Sequence, residues 1–279
     1  MRQKFLIIIL FILLYEFPLF AQYKYTFSQF GNETFDFIKQ PLKCDGGDYL
    51  KFGLISLAGG LSMFADEPIR DAVQKNHKYS MSAPMEFGRM YGELYSPIIF
   101  FSGFAAYSLI TDDIKTRKIA YEIGQASLYA GAINYVLKVA VGRGRPFLNN
   151  NTEGAGFYRP FYSPFKEEYH SMPGGHSTAA FVISTVLSRN VNPVWLKVLV
   201  YAPALLTITS RVYQGFHWTS DDLVGAAFGY FIATWVVDKH EKVDKPGNKG
   251  TQKTLLQRIQ LQPTILGDSY GFNLCFRLL

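Results

Sequence analysis

The sequence predicts an all-α protein, a bundle of about six core helices, and three observations lead to this fold class. Apolar segments of helical length recur between about residues 49 and 238, separated by Gly, Pro or Asp. Within that region no segment alternates between apolar and polar residues as a half-buried strand does. Such alternation occurs only at 259–265 and 272–278, on either side of a Gly-Asp pair, and it predicts a small C-terminal β-hairpin.

Six helices are expected in the helical domain. Their approximate bounds are 49–64, 85–109, 114–141, 177–190, 194–208 and 220–237. The triplet Thr-Asp-Asp at 111–113 suits the cap of the third helix, and Pro193 suits the start of the fifth. The connection at 146–169 is long and rich in Asn, Gly, Pro and aromatic residues. Because long connections are often functional, we expect it to lie over the mouth of a site.

Residues 1–21 have the pattern of a secretory signal. Two basic residues precede an apolar run from Phe5 to Tyr15, and Ala21 is a small residue at the expected break. An uncleaved anchor helix is the alternative, but Glu16 and Pro18 shorten the apolar run below the ~20 residues of a spanning helix. We therefore expect cleavage after Ala21 and export to the periplasm or cell envelope.

Composition divides the exported chain into four parts. Residues 22–48 are polar and aromatic, which predicts a loose N-terminal arm. The helical domain follows at 49–238, then a charged linker with Pro and Gly at 239–253, then the hairpin tail at 254–279. An isolated hairpin is marginal in water, so the tail is expected to dock on another surface.

Charge and cysteine content restrict the classes of partner. The net charge of +6 is modest and no run of like charges is long, so nucleic acid is not an expected partner. Cys44 and Cys275 lie in the exported part, where either a disulfide or two unpaired thiols are compatible with the sequence. Mean hydropathy of +0.04 leaves open whether helices span a bilayer, and membrane association is expected.

The first of three polar motifs is Lys-Val-Ala-Val-Gly-Arg-Gly-Arg-Pro at 138–146. Lys138 falls inside an apolar helix, where an unpaired ammonium is costly, so it requires an anion. Gly and Pro residues break the helix beyond it, and Arg143 and Arg145 are expected to leave at its end. A basic helix C-terminus that complements the macrodipole would explain this motif equally well on its own.

The second motif is Ser-Met-Pro-Gly-Gly-His-Ser at 171–177, which opens an apolar helix. Gly174 and Gly175 let backbone N–H groups approach a ligand closely, and a helix N-terminus favours negative charge. His176 can exchange a proton near neutral pH. Taken alone, a glycine turn with an incidental histidine is an equally good interpretation.

The third motif, at 210–221, is the most informative. Arg211 carries a rigid fork of donors that matches phosphate oxygens. His217 and Asp221 are four positions apart, so on a helix the carboxylate would lie beside the imidazole and leave its other nitrogen free to attack. Without the other two motifs, a buried structural His–Asp pair would be the better interpretation.

Together the motifs resemble a known three-part signature. Lys-x6-Arg-Pro, a Pro-Ser-Gly-His-like turn, and Ser-Arg-x5-His-x3-Asp are similar to the signature of the type 2 phosphatidic-acid phosphatase and vanadium haloperoxidase superfamily. The resemblance covers about Tyr49 to Val237, in the family's order and internal spacings. It implies an all-α fold like that of acid phosphatases and vanadium-dependent haloperoxidases.

The resemblance also implies roles for individual residues. His217 would attack phosphorus and form a phosphohistidine, His176 would protonate the leaving alkoxide and later activate water, and Asp221 would orient His217. The phosphate oxygens would be bound by three cations and two backbone amides: Lys138, Arg145, Arg211, Gly174 and Gly175. No metal ion or other cofactor is implied, because the cations offset the charge of the transition state.

One residue departs from the family pattern. Gly174 stands where the family usually has Ser, so a hydroxyl donor to the phosphate is missing. A hydrogen bond to a charged group is worth ~1.5–3 kcal/mol, so the loss would be roughly tenfold to hundredfold if nothing replaces it. Ser171, Ser177 or a water molecule are the candidates to compensate.

The sequence therefore predicts an exported, metal-independent phosphatase that acts on a phosphomonoester or diphosphate of a small molecule or lipid. The aromatic connection and the apolar helices favour a lipid phosphate. One alternative keeps the site but makes the protein a phosphotransferase or a vanadate-dependent haloperoxidase. Another is a non-catalytic envelope protein with a decayed site, against which the joint presence of all three motifs argues.

Overall fold

The computed structural model describes residues 25–43, 45–75, 77–148, 158–162, 165–244, 259–266 and 269–276. They belong to two compact units, one of residues 1–43 with 249–279 and one of residues 44–248. The predicted signal segment, Cys44 and the side chain of Cys275 lie outside the described residues, so the export and disulfide predictions stay predictions.

Among its described residues, the smaller unit contains an α-helix and a β-hairpin. Helix α1 spans Phe27–Ile38, and a 3₁₀ turn follows at Gln40–Lys43. The loose arm predicted at 22–48 is therefore wrong, because the Thr26 hydroxyl accepts from the Gln29 amide at 3.2 Å and caps a helix. Strands β1, Ile259–Leu266, and β2, Ser269–Phe276, pair antiparallel with Leu266 opposite Ser269.

The larger unit is helical throughout its described part. Its α-helices are α2 (Gly46–Ser62), α3 (Asp66–Lys75), α4 (Ala83–Gly92), α5 (Tyr95–Thr111), α6 (Ile114–Val141), α7 (Gly175–Asn190), α8 (Val194–Leu199), α9 (Ala202–Tyr213) and α10 (Thr219–Asp244). Short 3₁₀ turns lie at Met63–Ala65, His77–Tyr79, Pro146–Leu148 and Glu167–Tyr169. The prediction of an all-α bundle is confirmed.

Helix α7 is the centre of this bundle. It packs against α10, α6, α9 and α4, while α9 lies along α4 and α5 lies along α6. Buried side chains fill the space between these helices: Ile119, Ile123, Ala126, Ala180, Val182, Ile183, Val186, Ala204, Ala233 and Val236. Tyr91 packs against Ala180, Ile183 and Ala204 in this core. Its hydroxyl forms a hydrogen bond with the Ser184 hydroxyl at 3.0 Å, so this buried polar group has a partner.

Two predicted helices are each divided in the structure. The helix expected at 85–109 is α4 followed by α5, which differ in direction by 72°. The break occurs because Glu93 has extended backbone (φ −66°, ψ 155°), and the Ser96 hydroxyl donates to the Met90 carbonyl at 2.6 Å across the turn. The helix expected at 194–208 is likewise α8 followed by α9, with Pro203 in the first turn of α9.

Helix α10 extends beyond its predicted end at 237. Residues up to Asp244, expected to belong to a linker, are helical. The reason is a pair of contacts to α7, in which Arg189 donates to Asp238 at 2.6 Å and to Glu241 at 2.8 Å. His240 is also buried, with its Nδ1 3.1 Å from the Glu122 carboxylate of α6. These polar contacts tie the helix end to the bundle.

The length and hydropathy of the described helices were compared with those of membrane-spanning helices. In the described residues, the length and apolarity needed to cross a bilayer are not combined in any single helix. Helices α4 and α5 reach them jointly, as a bent pair and by length and composition only.

Candidate active site

The fold brings the three motifs to one end of the bundle. Lys138 lies in the last turn of α6, His176 in the first turn of α7, Arg211 in the last turn of α9 and Asp221 in the first turn of α10. The imidazole rings of His176 and His217 have centroids 6.4 Å apart. Side chains separated by about eighty positions in sequence therefore line one space.

Direct hydrogen bonds join each motif to the other two. The Ser171 amide donates to the Arg143 carbonyl at 3.0 Å, and the Gly174 amide donates to the Asp221 carbonyl at 2.8 Å. The Trp218 indole donates to the Gly144 carbonyl at 2.9 Å. Because these bonds use backbone groups, the relative positions of the motifs do not depend on a bound ligand.

The connection after α6 folds back onto that helix. Gly142 adopts a left-handed conformation (φ 60°), and a Cβ at this position would overlap the Arg159 carbonyl oxygen. The Arg159 amide donates to the Gly142 carbonyl at 2.7 Å, and the Phe161 amide donates to the Val139 carbonyl at 2.9 Å. The described part of 146–169 thus lies beside the first motif; residues 149–157 and 163–164, within the segment expected over the site mouth, are outside the description.

Asp221 is held rigidly at the start of α10. Its Oδ2 accepts from the Ser171 hydroxyl at 2.5 Å and from the amide of Trp218, the residue that precedes the helix, at 3.0 Å. Its Oδ1 accepts from the Arg143 guanidinium at 2.7 Å. These three donors hold the carboxylate in place and favour its ionised form. Its pKa is therefore lowered, although burial acts in the opposite direction.

His217 lies beside this carboxylate but not on the helix. Its Nδ1 is 3.8 Å from Asp221 Oδ2, beyond hydrogen-bond distance, and it has no hydrogen-bond partner among the described residues. The expected proximity is present, yet the expected helical i, i+4 geometry is wrong because α10 begins at Thr219. Asp221 thus faces the imidazole as a fixed negative charge.

Arg143 leaves at the end of α6 as expected, but its side chain turns into the protein interior. Its side chain is 1% exposed, and it donates to Asp66 at 2.8 Å, to Asp221 at 2.7 Å and to the Ser220 hydroxyl at 2.7 Å. Asp66 also accepts from the Ser220 amide at 2.8 Å. The two buried carboxylates and the guanidinium form a closed network that fixes Asp221.

Lys138 is a half-buried amine close to the glycine turn. Its Nζ donates to the His170 carbonyl at 2.6 Å and lies 3.9 Å from where a Cβ on Gly175 would be. Burial, together with the charge of Arg145, lowers the pKa of Lys138 to about 7. An added anion would raise that pKa again, so the lysine is suited to hold a phosphate oxygen.

The two predicted phosphate-binding arginines are anchored by different contacts. Arg145 donates from Nε to the Glu167 carbonyl at 3.0 Å. Arg211 donates to the Gln214 side chain at 3.0 Å, and its guanidinium carbon lies 4.3 Å from the centre of the Phe216 ring. Burial lowers the pKa of Arg211 to about 10, so it remains a cation at neutral pH.

Both imidazoles are neutral at neutral pH in the absence of a bound anion. Burial lowers the pKa of His217 to about 3, and the charges of Lys138 and Arg145 act in the same direction. Burial and Arg211 lower the pKa of His176 to about 4. A phosphate bound between these cations would offset their charges, so its arrival raises both histidine pKa values.

Glu93, at the break between α4 and α5, is a site residue that sequence reasoning missed. Its carboxylate lies 3.3 Å from His176 Nε2 and accepts from Arg89 at 2.7 Å. Its charge raises the pKa of His176, although burial and Arg211 outweigh it. No motif surrounds Glu93 in the sequence, and only the turn that divides the predicted helix brings it to the histidine.

The glycine turn differs in one respect from the prediction. The amide of Gly174 donates to the Asp221 carbonyl at 2.8 Å, so it is not available to a phosphate oxygen as expected. Gly175 begins α7, and the first amides of a helix lack partners within it. Gly175 therefore remains a candidate donor, whereas Gly174 serves to hold the turn against α10.

A cleft adjoins the site on the side of α3 and α9. It has a volume of about 200 Å³ and is lined by Arg70, Val73, Phe147, Val212, Tyr213, Gln214 and Gly215. A much smaller cavity that reaches His217 shares three of these residues: Arg70, Val212 and Gly215. The two spaces together offer a mostly apolar and aromatic lining next to a histidine.

The site lies in a segment that is similar to one known family, the PAP2 superfamily. The model of that superfamily matches residues 122–245, which contain all three motifs and both histidines. The predicted resemblance is confirmed for the segment that carries the site.

Two relatives and one solved structure extend this comparison. The chain is 32% identical over 123 residues to an undecaprenyl-diphosphatase of Sulfolobus acidocaldarius, covering 43% of this chain and 54% of that protein. It is 35% identical over 74 residues to a lipid A 1-phosphatase of Porphyromonas gingivalis, covering 25% and 17%. The crystal structure of a transmembrane PAP2-type phosphatidylglycerolphosphate phosphatase from Bacillus subtilis matches 71% of this chain and 96% of its own, with 19% identity and a TM-score of 0.54.

Each of these matches covers only part of this chain. The chain spans about half the length of the undecaprenyl-diphosphatase and a smaller part of the lipid A phosphatase. The structural match, at 19% identity, shows a shared fold.

Proposed function

We propose that this protein is a phosphatase that hydrolyses a phosphomonoester or diphosphate through a phosphohistidine on His217. The observation that carries the proposal is the space between His176 and His217, whose ring centroids are 6.4 Å apart, with Lys138, Arg145 and Arg211 charged around it. A tetrahedral anion fits between two such rings. Each of the three relatives carries the name of a phosphatase.

The first half of the reaction transfers the phosphoryl group. The neutral imidazole of His217 attacks phosphorus with its lone pair, and the bond from phosphorus to the leaving oxygen breaks. Protonated His176 gives its proton to that oxygen, so the product leaves as an alcohol or a phosphate. Asp221, fixed 3.8 Å from His217, offsets the positive charge that the attacking ring acquires.

The second half regenerates the enzyme. Neutral His176 takes a proton from a water molecule, whose oxygen attacks phosphorus as the bond to His217 breaks. Inorganic phosphate is released and His217 is again a neutral imidazole. In both halves Lys138, Arg145 and Arg211 stabilise the negative charge that the equatorial oxygens carry, as fixed cations in a water-poor site.

A lipid phosphate is the proposed substrate class, with membrane association of the protein. Many large apolar side chains are exposed, and they concentrate on three helices: Leu50, Leu54, Leu57 and Leu61 on α2, Ile98, Ile99, Leu109 and Ile110 on α5, and Val194, Trp195, Val198 and Leu199 on α8. Surfaces of this kind suit contact with acyl chains. The apolar cleft of about 200 Å³ beside His217 would take the first part of such a chain.

The function is tested by phosphate release from defined substrates. Purified full-length protein in detergent micelles, treated with EDTA, is expected to release phosphate from a lysophosphatidate or an isoprenyl diphosphate without added metal. A water-soluble phosphomonoester with no apolar chain serves as the comparison and is expected to react more slowly. Absence of phosphate release from all three substrates would contradict the proposal.

Glu93→Gln is expected to shift the pH dependence of kcat. Removing the carboxylate charge lowers the pKa of His176, because Glu93 raises it. As His176 must be protonated to donate, the fall of kcat at high pH should begin at a lower pH in the variant. The measurement is kcat across pH 5 to 9 with a lipid phosphate. Glu241→Gln, which removes a carboxylate from a contact with Arg189, is the control and should leave the profile unchanged.

A further inference from the structure

Asp222 is a buried carboxyl group for which the proposed reaction has no use. It follows Asp221 on α10 and is 0% exposed. Its Oδ1 accepts from the Ser177 hydroxyl of α7 at 2.6 Å. Its Oδ2 is buried and has no hydrogen-bond partner among the described residues, which is rare for a polar atom in a protein interior.

The carboxyl group of Asp222 lies against the glycine turn. A Cβ placed on Gly174 would overlap Asp222 Oδ1 and would lie 3.0 Å from the Asp222 Cα. The backbone of Gly174 has an ordinary extended conformation (φ −63°, ψ 113°), so its dihedral angles do not demand glycine. Position 174 therefore lacks a side chain because that of Asp222 occupies the space.

The charged groups that face Asp222 are those of the phosphate site. Arg211 from α9 and Lys138 from α6 favour its ionised form, and Asp221 on its own helix opposes it. The facing residue of α7 is Ser177, which is uncharged. Burial dominates and raises the pKa of Asp222 to about 8, so the group carries a proton at neutral pH.

A protonated carboxyl group with one oxygen already accepting has a hydrogen to give from the other. Ser177 donates to Oδ1, which leaves the proton on Oδ2, the atom without a partner. Ser177 thereby fixes the orientation of the group. Ser171 donates to Asp221 instead, so neither serine named in the sequence analysis is free to donate to a phosphate.

We propose that Asp222 is a further phosphate-binding residue, whose Oδ2–H donates a hydrogen bond to a phosphate oxygen in place of the hydroxyl that is absent at position 174. The inference rests on the proposed function, since it assigns a ligand to the same site. In this arrangement Gly174 and Asp222 are a matched pair. The glycine provides the room, and the carboxyl group provides the donor.

The steric half of the inference is tested without measuring activity. Gly174→Ser is expected to lower Tm by about 5 °C, because the new side chain overlaps the Asp222 carboxyl. Adding Asp222→Ala to that variant should recover part of the loss, because it removes the overlap with Oδ1 while the tight contact with the Asp222 Cα remains. If Gly174→Ser is as stable as the wild type, or if the double variant is less stable than Gly174→Ser alone, the assignment of that space to Asp222 is wrong.

The binding half is tested with inorganic phosphate by calorimetry on the full-length protein. Asp222→Ala should weaken phosphate binding about tenfold at pH 7, the loss of one hydrogen bond to an anion. Asp222→Asn keeps a donor and should bind within about threefold of the wild type at that pH. Asp238→Asn, a change outside the site on the same helix, is the control.

The pH dependence separates a ligand from a structural residue. As pH rises from 7 to 9 the wild-type carboxyl group loses its proton and repels phosphate, so affinity falls. Lys138 loses charge over the same range in both proteins, and it loses less in the wild type because the charge of Asp222 raises the pKa of Lys138. That difference opposes the one expected here, which comes from direct repulsion between ionised Asp222 and phosphate. The wild type should therefore lose more affinity than Asp222→Asn. Parallel losses would overturn the inference.

Different results would contradict the proposed function and the proposed role of Asp222. If wild-type protein hydrolyses a lipid phosphate but the Asp222 variants bind phosphate like the wild type at every pH, only the inference fails. If the wild type neither binds inorganic phosphate nor releases it from any substrate, the proposed function fails, and the inference fails with it.

Discussion

Replacing His217 with alanine is expected to reduce phosphate release more than about 10³-fold. The side chain supplies the attacking lone pair. The Asp221 carboxylate beside it is not expected to replace it, because Ser171, Trp218 and Arg143 engage that carboxylate. The measurement is the steady-state rate with a lipid phosphate in EDTA, together with Tm to show that the variant folds.

His240→Gln is the matched control for this variant. His240 and His217 are equally buried, at 1% and 2% exposed, and each faces a carboxylate, Glu122 for the former. His240 lies near the C-terminal end of α10, whereas His217 precedes the N-terminal end of that helix. Replacing His240 should lower Tm but leave the rate of phosphate release within about threefold of the wild-type rate, because substitutions at distant sites usually act independently. A His217→Ala variant as active as His240→Gln would contradict the mechanism.

Arg143→Met is expected to destabilise the fold by about 3–5 kcal/mol. The substitution leaves the carboxylates of Asp66 and Asp221, both 0% exposed at their side chains, without their cation in the protein interior. At about 2–4 °C per kcal/mol for a domain of this size, Tm should fall by about 10 °C. Differential scanning calorimetry or a fluorescence melting curve measures the change.

The control for Arg143→Met is Arg117→Met. Arg117 pairs with Asp112 at 2.8 Å, but that carboxylate is 76% exposed and stays hydrated when its partner is removed. Exposed pairs contribute about 0–1 kcal/mol, so Tm should change by no more than about 3 °C. Equal losses of stability in the two variants would show that the buried network around Asp221 is not held by Arg143.

Much of the site could be predicted because its chemistry depends on spacing along the chain. Lys138 inside an apolar helix signalled a need for an anion, and the structure provides a space beside it that two histidines share. The helical period and the Gly and Pro breaks also located the main helices. These features follow from local sequence, so patterns within one sequence predict them.

Other features depend on contacts between residues far apart in sequence, which local sequence patterns do not predict. Arg143 and Arg145 are two positions apart in one motif, yet the first is buried in an ion network and the second is anchored by a carbonyl. Which arginine turns inward is decided by Asp66, far away in sequence. Glu93 likewise reaches His176 only because α4 and α5 meet at an angle of 72°.

Gly174 shows how a correct observation can have an unexpected physical cause. The missing side chain at this position was visible in the sequence, and it suggested a lost donor. The structure shows a neighbouring carboxyl group in the same space, that of Asp222. Only the packing of α7 against α10 relates the two positions.

The central claim is that His217 becomes covalently phosphorylated. The most direct test is to mix the full-length protein with a ³²P-labelled lipid phosphate, quench within milliseconds in alkaline denaturant, and map the label by mass spectrometry. A base-stable, acid-labile phosphoryl group on the peptide that contains His217 is expected in the wild type, and none in His217→Ala. Label on another residue, or turnover of the wild type with no phosphoenzyme formed at any time, would contradict the claim.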